Sequence, residues 1–261
     1  MKLGLVTYNL AKDWHLNRII EMCSEHGFEG VELRTTHAHG VEVDLSAAQR
    51  REVRRRFENS SVALAGLGST LEYHSADPEE VRRNIEGTKQ YAQLAADVGA
   101  PGIKVRPNGL QHDTGVPEET TLKQIGRSLA ECGEYAAALG VQIRLEVHGH
   151  ETCEPVRVRK ILDHGGQHPN VFACWNSNPC EVKDGSIRAD FDLLAGDIAL
   201  VHMRDLCSPD YPWVELLRLL QGHSYEGFCL AEIPESDQPE RIMDYYRALW
   251  DAYHRILDLE G

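Results

Sequence analysis

The chain has 261 residues, 42% of them hydrophobic and 26% charged, and a formal net charge of −14 at pH 7. An acid excess this large counts against a binder of nucleic-acid backbone, which works through Lys and Arg releasing counterions, and against an anionic membrane surface. No stretch approaches the ~18 apolar residues of a membrane span, and MKLGLVTYNL lacks the basic start, long apolar run and cleavage site of a secretory leader. The seven cysteines contain no CxxC pair, so reduced thiols and a cytoplasmic location are expected.

Along the chain, short apolar or β-branched runs alternate with longer stretches of helical periodicity. That alternation is the pattern of a parallel sheet with crossover helices. Strands are predicted at 3–9, 30–35, 62–69, 102–107, 141–148, 171–177, 198–204 and 227–233. Helices are predicted at 12–26, 46–59, 79–98, 118–139, 155–164, 190–196, 211–221 and 238–258. Eight β/α units in a chain of this length predict one (β/α)8 TIM barrel domain over residues 1–261.

Local chemistry supports these elements. Asp77-Pro78-Glu79-Glu80 supplies an N-cap, a proline at the first helical position and acids in the first turn. Gly27, Gly99 and Gly140 follow helical stretches, as C-terminal caps do. The loops after helices are short. The loops after strands, such as TTHAHGVEVD and RPNGLQHDTGVP, are longer and polar, and a β/α barrel builds its site from those.

Alternate residues of a barrel strand point inward. Glu32 with Arg34, Lys104 with Arg106, Glu146 with His148 and His202 with Arg204 are therefore expected to point together, and the first strand adds Thr7 and Asn9. Barrel interiors are normally filled by branched apolar layers. Polar residues late in so many strands predict a polar pocket at the C-terminal rim. Four side chains stand out because each sits inside an apolar run: Glu146 in IRLEV, Asn176 in FACWNSN, His202 in IALVHMRD and Glu232 in FCLAEIP. A carboxylate or imidazole in such a run is costly unless paired, and the set points to a metal site at the top of the barrel.

Placed on strands 5 to 8, these four residues resemble the sugar phosphate isomerase/epimerase family, within the xylose-isomerase-like barrel superfamily. GFEGVELR, LEVHG, VHMRD and AEIP carry the likeness at successive strand ends, and it covers nearly the whole chain. In that family Glu, Asp, His and Glu hold one divalent metal. The resemblance implies an ion held by Glu146, Asn176, His202 and Glu232, with Mn2+, Mg2+ or Co2+ expected and Zn2+ compatible. The chain departs from the family in three places. Asn176 stands in place of Asp, Pro179 in place of the His of the epimerases, and Ser208 in place of their Arg, which weakens a ketose 3-epimerase reading in particular. The Asn176 amide either lends its oxygen to a more Lewis-acidic ion or hydrogen-bonds within a pocket that holds none.

A chelated carbonyl acidifies the neighbouring C–H. Glu146 and Glu232 are the expected base and acid, giving isomerisation or epimerisation of a sugar, sugar phosphate or polyol. Delivery of the second proton to a leaving hydroxyl gives instead a dehydratase or lyase on a keto-sugar or inositol-like ring. A third reading is a non-catalytic sugar-binding barrel, which Asn176 favours. Expected substrate contacts are His148, Arg204, Lys104, Glu32, Arg34, Asn9 and His37. Lys104 and Arg204 suit a phosphate or carboxylate, or else neutralise the nearby carboxylates. The expected partners are a small-molecule sugar and, by resemblance, further copies of the chain in a homo-oligomer; nucleic acid and membrane are not expected.

Overall fold

The predicted strand signals become eight parallel strands: β1 (Lys2–Val6), β2 (Gly30–Arg34), β3 (Ala63–Glu72), β4 (Gly102–Arg106), β5 (Gln142–Glu146), β6 (Val171–Asn176), β7 (Ile198–Met203) and β8 (Phe228–Ala231). This computed structural model describes residues 1–260. The strands pair in chain order and close into a barrel, β1 meeting β2 with Val6 opposite Glu32 and β8 with Leu5 opposite Ala231. Helices α1 (Leu16–Glu25), α2 (Ala47–Glu58), α3 (Pro78–Val98), α4 (Glu118–Ala137), α5 (Pro155–His164), α6 (Arg188–Asp192), α7 (Trp213–Gly222) and α8 (Pro239–Glu260) follow the strands one by one. The (β/α)8 barrel expected from the alternation is the fold.

Helix ends obey the chemistry of their sequences. Asp77 accepts a hydrogen bond from the Glu79 amide at the start of α3, and Pro78 occupies its first turn. Gly27, Gly99 and Gly140 all take positive φ, where a side chain would be strained. Two elements depart from expectation. β1 stops at Val6 because the chain turns over the next residues, with Asn9 at φ 66°. α6 spans only Arg188–Asp192, since β7 begins at Ile198 and a separate tight turn at Ala195–Asp197 must redirect the chain.

Apolar side chains divide into two layers. Leu3, Leu5, Val31, Leu33, Ile103, Val105, Ile143, Leu145, Val201 and Met203 pack outward against the helices. Val6, Ala65, Cys174, Leu200 and Leu230 form a small cluster inside the barrel. Above that inner cluster the interior is polar. Bare glycine backbone makes room for it. A Cβ on Gly68 would lie 2.5 Å from Glu32 Oε1, and one on Gly102 would lie 2.6 Å from Arg144 Nε. All seven cysteines are free, and Cys153 and Cys180 bring their Sγ atoms to 3.1 Å. Among the described residues no helix is long and apolar enough to cross a membrane.

Candidate active site

Alternation along the strands gathers ten residues around a cavity of about 90 Å3 at the C-terminal end of the barrel. Val6 and Tyr8 come from β1 and the turn after it, Glu32 and Arg34 from β2, and Lys104 and Arg106 from β4. Glu146 and His148 come from β5 and its loop, His202 from β7, and Glu232 from the residue after β8. Six of the eight strands, all but β3 and β6, thus offer inward positions or the residues just beyond them.

Glu146 is the hub of the buried part. Its Oε2 accepts from Lys104 Nζ at 2.8 Å, with only 5% of the Glu146 side chain and 6% of the Lys104 side chain exposed. Its Oε1 faces His202 Nδ1 at 3.2 Å and accepts from Asn176 Nδ2 at 3.4 Å. The other imidazole nitrogen, His202 Nε2, lies 3.3 Å from Glu32 Oε1 but is not aligned for a hydrogen bond. Burial alone would neutralise these groups. It raises the Glu146 pKa, yet Lys104 and His202 outweigh it and hold the carboxyl well below the usual carboxylate range. Burial likewise opposes the charge on His202, but Cys174, Glu32 and Glu146 around it raise its pKa well above that of free histidine. Of these, the carboxylates are the source to credit, because burial raises the Cys174 thiol too and leaves it neutral. The Lys104 ammonium is disfavoured by burial and restored by Glu146 and Glu32.

Glu232 differs. Burial dominates there, outweighs His202, and raises the pKa. His148 is half-buried, receives its orientation from Asn108 Oδ1 at 3.0 Å from Nδ1, and is pushed down by burial, which keeps the imidazole neutral. Arg106 is anchored by Glu72, which also accepts from Asn108 Nδ2 at 2.8 Å. The rim carries backbone strain. Asn9, Thr36, Asn108 and Glu151, on the loops after β1, β2, β4 and β5, all have φ between 61° and 68°. For β-branched Thr36 this conformation is costly.

Of the expected residues, Glu32, Arg34, Lys104, Glu146, His148, His202 and Glu232 line one cavity. Four do not line it. Asn176 is buried beneath it and spends its amide on Glu146. Asn9 lies in the turn beyond β1. His37 stacks beside Tyr8 on the rim, its ring 6.4 Å from the tyrosine, and burial with Arg34 pushes its pKa down to about 4. Arg204 turns away, with its guanidinium over the Tyr211 ring at 5.9 Å and Nε and Nη2 buried without hydrogen bonds. Sequence reasoning missed Tyr8 because it took Thr7 and Asn9 as the inward pair. Thr7 instead accepts from the Arg34 amide at 2.9 Å. A one-residue error of parity exchanges the two faces of a strand.

The expected metal ligands meet a different arrangement. Among the described residues, no three His, Cys, Asp or Glu side chains are placed to hold one ion. Lys104 takes one Glu146 oxygen, and His202 with Asn176 takes the other. His202 presents both ring nitrogens to carboxylates, which suits an imidazolium with no lone pair to donate. Asn176 turns its NH2 toward Glu146, since only that end of the amide can bond to a carboxylate. Glu146 is thus fully engaged by its neighbours, while Glu32 Oε1 and Oε2 and His202 Nε2 are buried without hydrogen-bond partners.

The sequence profile of the xylose isomerase-like TIM barrel family matches residues 20–249. An inosose isomerase from Bacillus velezensis is 22% identical over 153 residues, 59% of this chain and 53% of that protein, so the match spans about half of that curated relative. Among solved structures, an L-ribulose 3-epimerase superposes with a TM-score of 0.81 at 16% identity, over 100% of this chain and 98% of that one. The IolI protein, solved with a zinc atom bound, superposes with a TM-score of 0.74 at 16% identity, over 97% and 96% of the two chains. At these identities the structural likeness is one of fold.

Proposed function

Since the chain belongs to the xylose isomerase-like TIM barrel family, we propose that it is a sugar isomerase or epimerase moving a proton at a carbon beside a carbonyl. One observation carries this reading: Glu146 and Glu232 face the same polar cavity with their pKa values displaced in opposite directions. Two titratable groups pushed apart by their surroundings mark an acid–base pair of roles. Glu146, held ionised by Lys104 and His202, is the anchor. Glu232, with its raised pKa, is the proton carrier.

In this reading Glu232 takes the proton from the carbon next to the carbonyl. The C–H electron pair moves toward the carbonyl oxygen, where the remaining N–H of Lys104 stabilises the developing charge. Return of a proton from solvent to the opposite face of the same carbon, balanced by Glu232 releasing the proton it took back to solvent, gives the epimer. Return to the former carbonyl carbon gives the isomer. Tyr8, Arg34 and Arg106 offer hydroxyl and guanidinium groups to the rest of the sugar. The donor arrangement described above does not gather about an ion, so no step here passes through one.

The test is incubation in D2O with a panel of ketoses, keto-sugars and inososes, read as deuterium uptake by mass spectrometry. The wild type is expected to label at least one carbonyl-bearing member, and Glu232→Gln to label it at least about 100-fold more slowly. Undiminished labelling by Glu232→Gln overturns the assignment. Net loss of water in place of labelling moves the chain to the lyases.

A further inference from the structure

We propose that Lys104 is the resident cation of this site, standing where an ion would otherwise bind Glu146, so that the chain works without a divalent metal. This rests on the carbonyl-chemistry reading above and deepens it. Lys104 rises from the inner face of β4 beside the cavity and places Nζ 2.8 Å from Glu146 Oε2 and 3.4 Å from the Ser69 carbonyl oxygen. Both groups are almost fully buried, so the pair is set by the fold and is no loose surface contact. An ammonium has three N–H donors and no acceptor. Two are taken by Glu146 and Ser69, which leaves one for a ligand oxygen in the cavity.

The rest of the donor set fits this arrangement. An ion seated on Glu146 would have to displace Nζ or sit against its positive charge. A hard cation favours carboxylate oxygens, but Asn176 brings a neutral amide and turns its NH2 to Glu146. His202 lies between Glu32 and Glu146, with Nδ1 spent on Glu146. The buried side chains Lys104 and Arg144 lie by the buried carboxylates Glu146 and Glu32, so two positive charges already stand against two negative ones without an added ion. For the reaction, the consequence is a fixed ammonium as the group that polarises a substrate carbonyl. Lys104 then acts as a catalytic donor and not only as a counter-ion.

The experiment is a Mn2+ titration of the dialysed full chain by calorimetry and by metal analysis, alongside Lys104→Met and the double variant Lys104→Met with Asn176→Asp. The wild type is expected to take up no stoichiometric Mn2+. The double variant, freed of the ammonium and given a carboxylate, is expected to bind one Mn2+ per chain at least about tenfold more tightly. One Mn2+ per wild-type chain, lost in Glu146→Gln, overturns the proposal. A folded double variant that still refuses Mn2+ also overturns it, because Lys104 would then not be occupying an ion's place. If the variants fail to fold, the wild-type titration decides alone. The readout needs no substrate, so it stays separate from the deuterium test. Where labelling is found, its survival in EDTA supports the proposal, and its loss with recovery on Mn2+ refutes it.

Discussion

Two of the three carboxylates that line the cavity, Glu146 and Glu232, come from strands three apart and live in opposite surroundings. Around Glu146, on the β4–β5–β7 side, Lys104, His202 and Asn176 engage both oxygens. Around Glu232, past the end of β8, burial outweighs the attraction of His202. The first side is built to keep a charge in a dry place. The second makes a charge unwelcome and favours the protonated carboxyl. The comparison teaches that one barrel rim can hold a carboxylate kept ionised and another pushed toward its protonated form, set apart by their partners.

The largest effect should come from breaking the first side. Lys104→Met leaves Glu146 buried without its cation, and removing one member of a buried pair costs about 3–5 kcal/mol. Chemical denaturation at pH 7 checks this; a loss below about 1 kcal/mol would mean that Glu146 is not stabilised by Lys104. A smaller effect is expected one strand away. Gly68→Ala forces a methyl against Glu32, 2.5 Å from Oε1, and overpacking of this kind costs about 1–3 kcal/mol. The smallest stability change belongs to the second side. Glu232→Gln should leave stability at pH 7 within about 1 kcal/mol of wild type while removing proton transfer.

The pH dependence sharpens the contrast. Glu146 has a lowered pKa in the fold, so its contribution is present above the ordinary carboxylate range and is lost as pH falls through the lowered value. Glu232 has a raised pKa, so its protonated form favours the fold, and stability declines as pH climbs from the ordinary range through the raised value. Thermal melts across pH should therefore show Glu232→Gln removing a decline toward neutral pH while leaving the acid limb in place.

Much of this was legible in the sequence. The order of strands follows from the alternation of short apolar runs with amphipathic helices, and Glu146, His202 and Glu232 betrayed themselves as polar residues in apolar strands. What stayed hidden depends on neighbours across the sheet. Nothing in IKVR says that Lys104 reaches the carboxylate of LEV one strand away, because height around a barrel is fixed by the stagger of pairing. Asn176 carried the signal of an ion ligand, and nothing in FACWNSN says that its amide reaches Glu146. Arg204 looked inward by alternation, but β7 ends at Met203, and past a strand end the pleat no longer dictates direction. The parity of β1 was ambiguous because Val6 and Thr7 both suit a buried strand position.

The bare backbone of β3 and β4 has a consequence for descent. Gly68 leaves the hollow that Glu32 fills, and Gly102 leaves the one that Arg144 fills. Trimming Glu32 to a small residue would leave that hollow empty, while a methyl on Gly68 has nowhere to go as long as Glu32 is present. Each change is harmful alone and tolerable only with the other, a coupling expected of residues that share one space. The charged floor and its glycines are therefore inherited as a block. A lineage leaves this chemistry by replacing several residues together, or stays with it.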